Sequence, residues 1–221
     1  MTLLNRFATL LVVSSLFSTT AFTQPPPADK KGQDILNGVS TRYKSYKSVK
    51  AAFTITVANP KDKSKTVEKG TLYLKGSKYK LEVAGQEVIS DGKTRWTYVK
   101  DANEVQIDVQ RTDENGISPT NIFTMYEKGW NSRFMGETKE GTRTLQHVEL
   151  VPVDPKKKNI FKVKLSINKA DKSIVSAVMY DKNGSTQTIT MDKFMPDGAS
   201  DESIYVFSAA KYPGAEVIDL R

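Results

Sequence analysis

The sequence predicts a mainly β (α+β) protein: one antiparallel domain of about ten or eleven strands, led by a single amphipathic helix. Three observations predict it. Apolar residues recur at helical spacing in one stretch near the N-terminus, they alternate with a period of two over almost everything after it, and hairpin-forming dipeptides separate the alternating runs.

Met1 to Phe22 reads as a secretory signal peptide, with Arg6 in its front end, an apolar run from Phe7 to Phe17, and small residues Ser18-Thr19-Thr20-Ala21. The run is too short to span a bilayer. Cleavage is expected between Ala21 and Gln24, which makes residues 1–23 the signal and 24–31, with Pro25-Pro26-Pro27, an extended leader. No cysteine follows the small residues, so no lipid anchor is expected. From Gly32 to Ser48, Ile35, Leu36, Val39, Tyr43 and Tyr46 fall on one helical face, which predicts the helix. The period then changes. Phe53, Ile55 and Val57 alternate with threonines, Leu72 and Leu74 follow, then Tyr79, Leu81 and Val83, and Phe161, Val163, Leu165 and Ile167 interleave with polar residues. Asp91-Gly92, Asn115-Gly116 and Asn183-Gly184 are turn dipeptides that tolerate positive φ, and Gly76-Ser77 and Ala84-Gly85 separate further strands. Ser118-Pro119 is an N-cap followed by the favoured first helical residue, which predicts a short internal helix through Tyr126. Residues 32–221 form a single domain on this reading.

Composition narrows the function. The chain of 221 residues has 33 Lys and Arg against 25 Asp and Glu, a net charge of +8, no cysteine and one histidine, His147. Thiol nucleophiles, disulfide scaffolds and Cys/His zinc sites are thereby excluded. A Ser–His–Asp mechanism would have to use His147, which sits in a strand-like run, Leu145 to Leu150, and no G-x-S-x-G motif exists. Its expected role is a structural hydrogen bond. No catalytic residue, metal or cofactor is therefore expected. The lysines alternate along strands instead of clustering on a helix, apart from Lys156-Lys157-Lys158, which reads as a solvated hairpin tip. Nucleic acid is not expected as a partner, and an anionic membrane face or acidic partner fits the charge better.

A sheet of this many strands must twist and curl. It can close into a barrel, stack into a sandwich, or stay half open under a helical lid. Thin helical cover over a wide curved sheet predicts an apolar hollow of about 300–1,000 Å³, unless aromatic and methionine side chains fill it.

Ser90-Asp91-Gly92-Lys93-Thr94-Arg95-Trp96-Thr97-Tyr98 resembles the periplasmic outer-membrane lipoprotein carriers of LolA type, with their DGKT-like hairpin followed by Trp and Tyr. Ala52-Phe53-Thr54, the glycine-led strand Gly70-Thr71-Leu72-Tyr73-Leu74-Lys75, the Ser118-Pro119 helix, Asp181-Lys182-Asn183-Gly184 and the run from Tyr205-Val206-Phe207 to Pro213–Asp219 extend the likeness. The resemblance implies a curved antiparallel sheet of about 11 strands forming a half-open, unclosed β-barrel, lidded by the N-terminal helix and the short internal helix. It implies a periplasmic carrier that moves acylated lipoproteins from the inner to the outer membrane. Its implied partners are an ATP-driven inner-membrane release complex as donor and an outer-membrane receptor, or the membrane itself, as acceptor, with a monomer expected. Ile35, Val39, Tyr43, Ile122, Phe123 and Met125 are assigned to the lid, and Leu72, Leu74, Tyr79, Leu81, Val83, Trp96 and Tyr98 to the wall that meets acyl chains. The alternative is a periplasmic sensor of lipid or lipopeptide with the same fold. In one respect the chain departs from the family. Where the family often has Lys-Arg-Pro, its Arg tied to lid closure, this chain has Lys75-Gly76-Ser77, which leaves Lys75 or Arg95 as replacement candidates.

Overall fold

The computed structural model describes residues 29–111, 120, 121 and 123–221. The signal and most of the leader, Asn115-Gly116, Ser118-Pro119 and Ile122 lie outside the described residues.

Helix α1 spans Lys30–Lys44. It begins two residues before the sequence expectation because the Asp29 carboxylate caps it, accepting from the Gly32 N–H at 2.5 Å. Lys30 and Lys31, expected in the leader, form its first turn. It ends four residues early, at Ser45, whose N–H bonds back to Arg42. The buried face holds Ile35, Leu36, Val39 and Tyr43, as the helical spacing requires. Burial of Ile35, Leu36 and Val39 contributes about 1.5–3 kcal/mol each.

Twelve strands follow. β1 (Val49–Asn59), β2 (Ser64–Lys75), β3 (Lys78–Val83), β4 (Gln86–Ser90), β5 (Thr94–Val99) and β6 (Glu104–Val109) form one meander. β7 (Trp130–Glu140), β8 (Arg143–Pro152), β9 (Ile160–Asn168), β10 (Ile174–Asp181) and β11 (Thr186–Pro196) form another, and β12 (Glu216–Asp219) closes the chain. The meanders join through the β1–β11 pair, giving one sheet in the order β12-β6-β5-β4-β3-β2-β1-β11-β10-β9-β8-β7. Every pair is antiparallel except β12 with β6. The first and last strands of that order do not meet, so the sheet is a curved, unclosed half-barrel. One strand more than expected arises because β12 is added in parallel by the C-terminal segment.

Within the described residues, Gly76-Ser77, Ala84-Gly85, Asp91-Gly92 and Asn183-Gly184 turn where they were expected to. Ala84 and Gly85 both have positive φ, 51° and 72°, as a two-residue turn between twisted strands demands. Gly76 sits at φ 58° between β2 and β3. Lys156 and Lys157 are exposed at the tip between β8 and β9, with a single 3-10 turn at Pro155–Lys157, whereas Lys158 is half-buried with Nζ 5.0 Å from the Trp130 ring centroid. The internal helix is a correction: its described part is one 3-10 turn, Met125–Glu127, preceded by hydrogen-bonded turns from Asn121.

Residues paired across strands share a face of the sheet, so register divides the side chains into two sets. One face carries Ala51, Leu72, Val148, Leu150, Val163 and Leu165 and is covered by α1. The other is mostly solvated, except over β4 to β6. There Ile89, Trp96 and Ile107 pair in a row, and the C-terminal segment packs on them through Phe207 and Tyr212. The β7 edge is partly sealed by Asp29, whose N–H donates to Ser132 O at 2.8 Å and whose carboxylate accepts from the Phe134 N–H at 2.6 Å.

Candidate functional site

Under α1 and the Met125–Glu127 turn, the helix-bearing face encloses a hollow whose walls are almost wholly apolar. Leu150, Val163, Leu165 and Met179 line it from β8, β9 and β10, and Ile189 and Met191 from β11. Phe123, Met125 and Tyr126 roof it. Its free space is about 40 Å³, room for a few waters. The expectation of 300–1,000 Å³ is corrected. The roof's own side chains occupy the trough, which is the filled arrangement the aromatic and methionine content allowed.

The filling is specific. The Phe123 ring stacks on Tyr43 with centroids 4.2 Å apart and planes 9° apart, and Phe194 of β11 stands edge-on to both rings, at 5.2 Å from Tyr43 and 6.0 Å from Phe123. Such pairs add about 0.5–1.5 kcal/mol beyond area burial. The Tyr43 hydroxyl accepts from the Ile174 N–H at 3.3 Å, and burial pushes its phenol up to about 12. Burial also raises the Tyr126 phenol, to which Ser40 Oγ donates at 3.3 Å.

These shifts make stability fall at high pH. A phenol raised from 10 to about 12 stays neutral in the fold while the unfolded chain ionises, so its contribution is complete below pH 10 and lost by about pH 12. For Tyr43 the loss is on the order of 2 kcal/mol. Urea midpoints measured from pH 9 to 12 are expected to fall, and Tyr43→Phe is expected to flatten that fall. A slope unchanged in Tyr43→Phe would remove the phenol as its cause.

The wall residues read from sequence divide between the two faces. Leu72 and Tyr79 are core residues of the helix-bearing face, and Leu74, Leu81 and Val83 pack against that core. They lie on β2 and β3, across β1 from the hollow. Trp96 and Tyr98 are not brought to this set. From Leu81 the register runs through Val88 to Thr97, so Thr97 shares its face, and the neighbours Trp96 and Tyr98 point to the far side. Trp96 stacks on Phe207 at 5.6 Å, and Tyr98 lies 4.7 Å from Tyr212. Of the lid residues, Ile35, Val39, Tyr43, Phe123 and Met125 meet over the sheet, and Ile122 lies outside the described residues. Sequence reasoning missed the β8–β11 lining, although the alternation of Val163, Leu165 and Ile167 marked one of its strands.

The remaining candidates resolve simply. His147 lies in β8 with Nε2 2.8 Å from Thr138 Oγ1 and Nδ1 3.2 Å from Ser166 Oγ, so no carboxylate orients it for a relay. Lys75 pairs with Glu202 at 2.7 Å and donates to Ser200 O at 3.0 Å. Arg95 shares a face with Tyr79 through Ser90 and is paired with Asp108 at 2.7 Å. Among the described residues there is no cluster of three or more metal-ligating side chains, and no helix is long and apolar enough to cross a membrane.

An unclosed curved sheet whose apolar hollow is roofed by a helix and a short turn is a lidded half-barrel. The chain belongs to the outer membrane lipoprotein carrier protein LolA family, whose model matches residues 44–208. Among solved structures, an uncharacterized conserved protein from Thermus thermophilus aligns with a TM-score of 0.54 at 14% identity, covering 86% of this chain and 99% of that one. A LolA superfamily protein from Nitrosomonas europaea aligns at 0.41 and 13%, covering 80% and 97%. The Mycobacterium tuberculosis lipoprotein LppX aligns at 0.47 and 12%, covering 76% and 96%. At these identities the likeness is one of fold. No curated protein sequence matches the chain.

Proposed function

We propose that this protein is a periplasmic carrier that takes the acyl chains of lipoproteins into the hollow and moves them from the inner to the outer membrane. It receives them from an ATP-driven release complex and passes them to an outer-membrane receptor or to the membrane itself. It acts by binding alone, without catalysis.

The observation that carries this reading is an apolar hollow filled by its own roof. A sixteen-carbon chain gains roughly 12 kcal/mol on leaving water, at about 0.8 kcal/mol per CH₂. A preformed dry cavity of matching size would hold such cargo too tightly to release it. Here cargo must displace Phe123, Met125 and Tyr126, so self-packing competes with binding and favours release. Among the described residues, the roof turn draws its backbone N–H bonds from its own segment and not from a strand. The N–H groups of Thr124, Met125 and Glu127 bond to Asn121 and Thr124, within the segment itself. Side chains hold it to α1, through the Lys44–Glu127 pair at 2.5 Å and the Ser40–Tyr126 bond.

The test pairs two substitutions. Ile189→Asp, on the hollow's lining, is expected to lower affinity for a fluorescent sixteen-carbon fatty acid at least tenfold with the circular dichroism spectrum unchanged. Trp96→Ala, on the far face, is expected to leave affinity within twofold. Mass spectrometry of the purified wild type is expected to show bound acyl lipid or lipopeptide. A wild type that binds no acyl probe would sink the proposal.

A further inference from the structure

Beside the apolar hollow lies a polar recess of about 520 Å³ between α1 and β7. From α1 it is lined by Gln33, Asn37 and Thr41, residues spaced four apart on one stripe of the helix. From β7 it is lined by Trp130 and Ser132, which as alternate residues of a strand face the same way. Tyr126 lines both the recess and the hollow, so the two spaces share a wall.

Both β7 residues bring an unused polar atom. Trp130 Nε1 and Ser132 Oγ are buried without a hydrogen-bond partner, and Ser132 is only 3% exposed. Leaving such a group unpaired costs about 1–3 kcal/mol. The nearby carboxylates are engaged elsewhere, Asp29 with the Gly32 and Phe134 N–H groups and Glu127 with Lys44, and neither donor has an acceptor within the protein. The indole N–H only donates, and the serine hydroxyl donates readily, so what completes this pair is an acceptor. The charges that line the recess cancel, because Lys44 and Glu127 form a contact pair, which favours an uncharged carbonyl over a phosphate.

From these facts we infer that the recess binds the ester and amide carbonyls at the head of an acylated molecule, with Trp130 and Ser132 as the donors. The inference rests on the carrier reading. It adds that a chain lodged in the hollow passes Tyr126 and presents its glyceryl ester or first peptide carbonyls to β7. Two sources supply that chemistry, an acylated peptide and a diacyl phospholipid. The amide side chains of Gln33 and Asn37 in the lining accept as well as donate, which suits the N–H groups of a peptide and favours it over the phospholipid, whose esters only accept.

The chain has two tryptophans, Trp96 and Trp130, so the indole N–H resonances of ¹⁵N-labelled protein are two, assigned with Trp96→Phe. Four probes are titrated: a triacylated S-glyceryl-cysteinyl peptide, the same S-glyceryl peptide without acyl chains, palmitate, and dipalmitoyl phosphatidylglycerol. The triacylated peptide is expected to move the Trp130 resonance and the Met179 and Met191 methyls, and palmitate the methyls alone. Trp130→Phe with Ser132→Ala is expected to weaken the triacylated peptide at least tenfold and palmitate less than twofold. An equal weakening by phosphatidylglycerol would place the ester, not the peptide, in the recess and overturn the peptide assignment. If acyl probes move the methyls and neither peptide moves the indole, the recess inference is wrong and the carrier reading stands. If the unacylated peptide moves the indole while no acyl probe moves the methyls, the recess stands and the carrier reading falls. Silence of both reporters overturns both.

Discussion

Phe123→Ala is expected to make the protein less stable and a better binder at once. Truncating a buried phenylalanine costs about 3–5 kcal/mol, and here it removes both the stack on Tyr43 and the edge contact with Phe194. An ordinary core ring would leave a passive cavity, and binding would suffer with the fold. A plug behaves differently. Its removal abolishes the competitor that an acyl chain must displace, so affinity for a sixteen-carbon fatty acid is expected to rise about tenfold while the urea midpoint falls. Measuring both on one preparation separates the roles, because a drop in affinity alongside the drop in stability would make Phe123 part of the wall.

The largest purely structural effect is expected at Gly70. It pairs directly with Phe53 across β1 and β2, and the Phe53 ring lies over it. A Cβ placed there would stand 2.4 Å from Phe53 Cζ and 2.9 Å from the Glu82 carbonyl oxygen. The ring can swing but the carbonyl belongs to the sheet backbone, so Gly70→Val exceeds the usual overpacking cost of about 1–3 kcal/mol. A fall of roughly 10 °C in Tm is expected, at about 2–4 °C per kcal/mol for a domain of this size. In the double variant with Phe53→Ala the ring clash is gone, and the pair is expected to be less destabilised than the two single changes added together, by at least about 1 kcal/mol. Strict additivity would mean that the ring is not what requires glycine. Gly70, expected to lead its strand, lies inside β2, which starts at Ser64, and the need for glycine there has a physical reason that lies on the neighbouring strand.

Much of the fold was legible for local reasons. The 3.6 spacing of Ile35, Leu36, Val39 and Tyr43 is imposed by the helix that buries them, and the alternation in β9 by the sheet. Turn dipeptides such as Ala84-Gly85 mark positive φ directly. The candidate site was legible in half. The residues assigned to the lid, Ile122 aside, do gather over the sheet, because their helix and aromatic run stand apart from the strands. The β8–β11 lining was passed over, since Leu150, Met179 and Ile189 look like any alternating strand residues until the chain closes over them. The recess gave no signal at all, because an unpaired indole or hydroxyl is a property of neighbours and not of Trp130 or Ser132.

By itself, the sequence determined the mainly β class, the helix and its buried face, the absence of thiol chemistry, and the family. Only the tertiary structure decided which way each strand faces. Alternation reveals that Trp96 and Tyr98 share a side, but whether that side meets the lid depends on register and on what covers each surface. Here the C-terminal segment lays Phe207 and Tyr212 over the far face of β4 to β6, so the burial that favours aromatic residues there comes from the opposite side of the sheet. Burial leaves the same mark on a sequence whichever layer provides it, and only the packed layers distinguish a cargo wall from a second core.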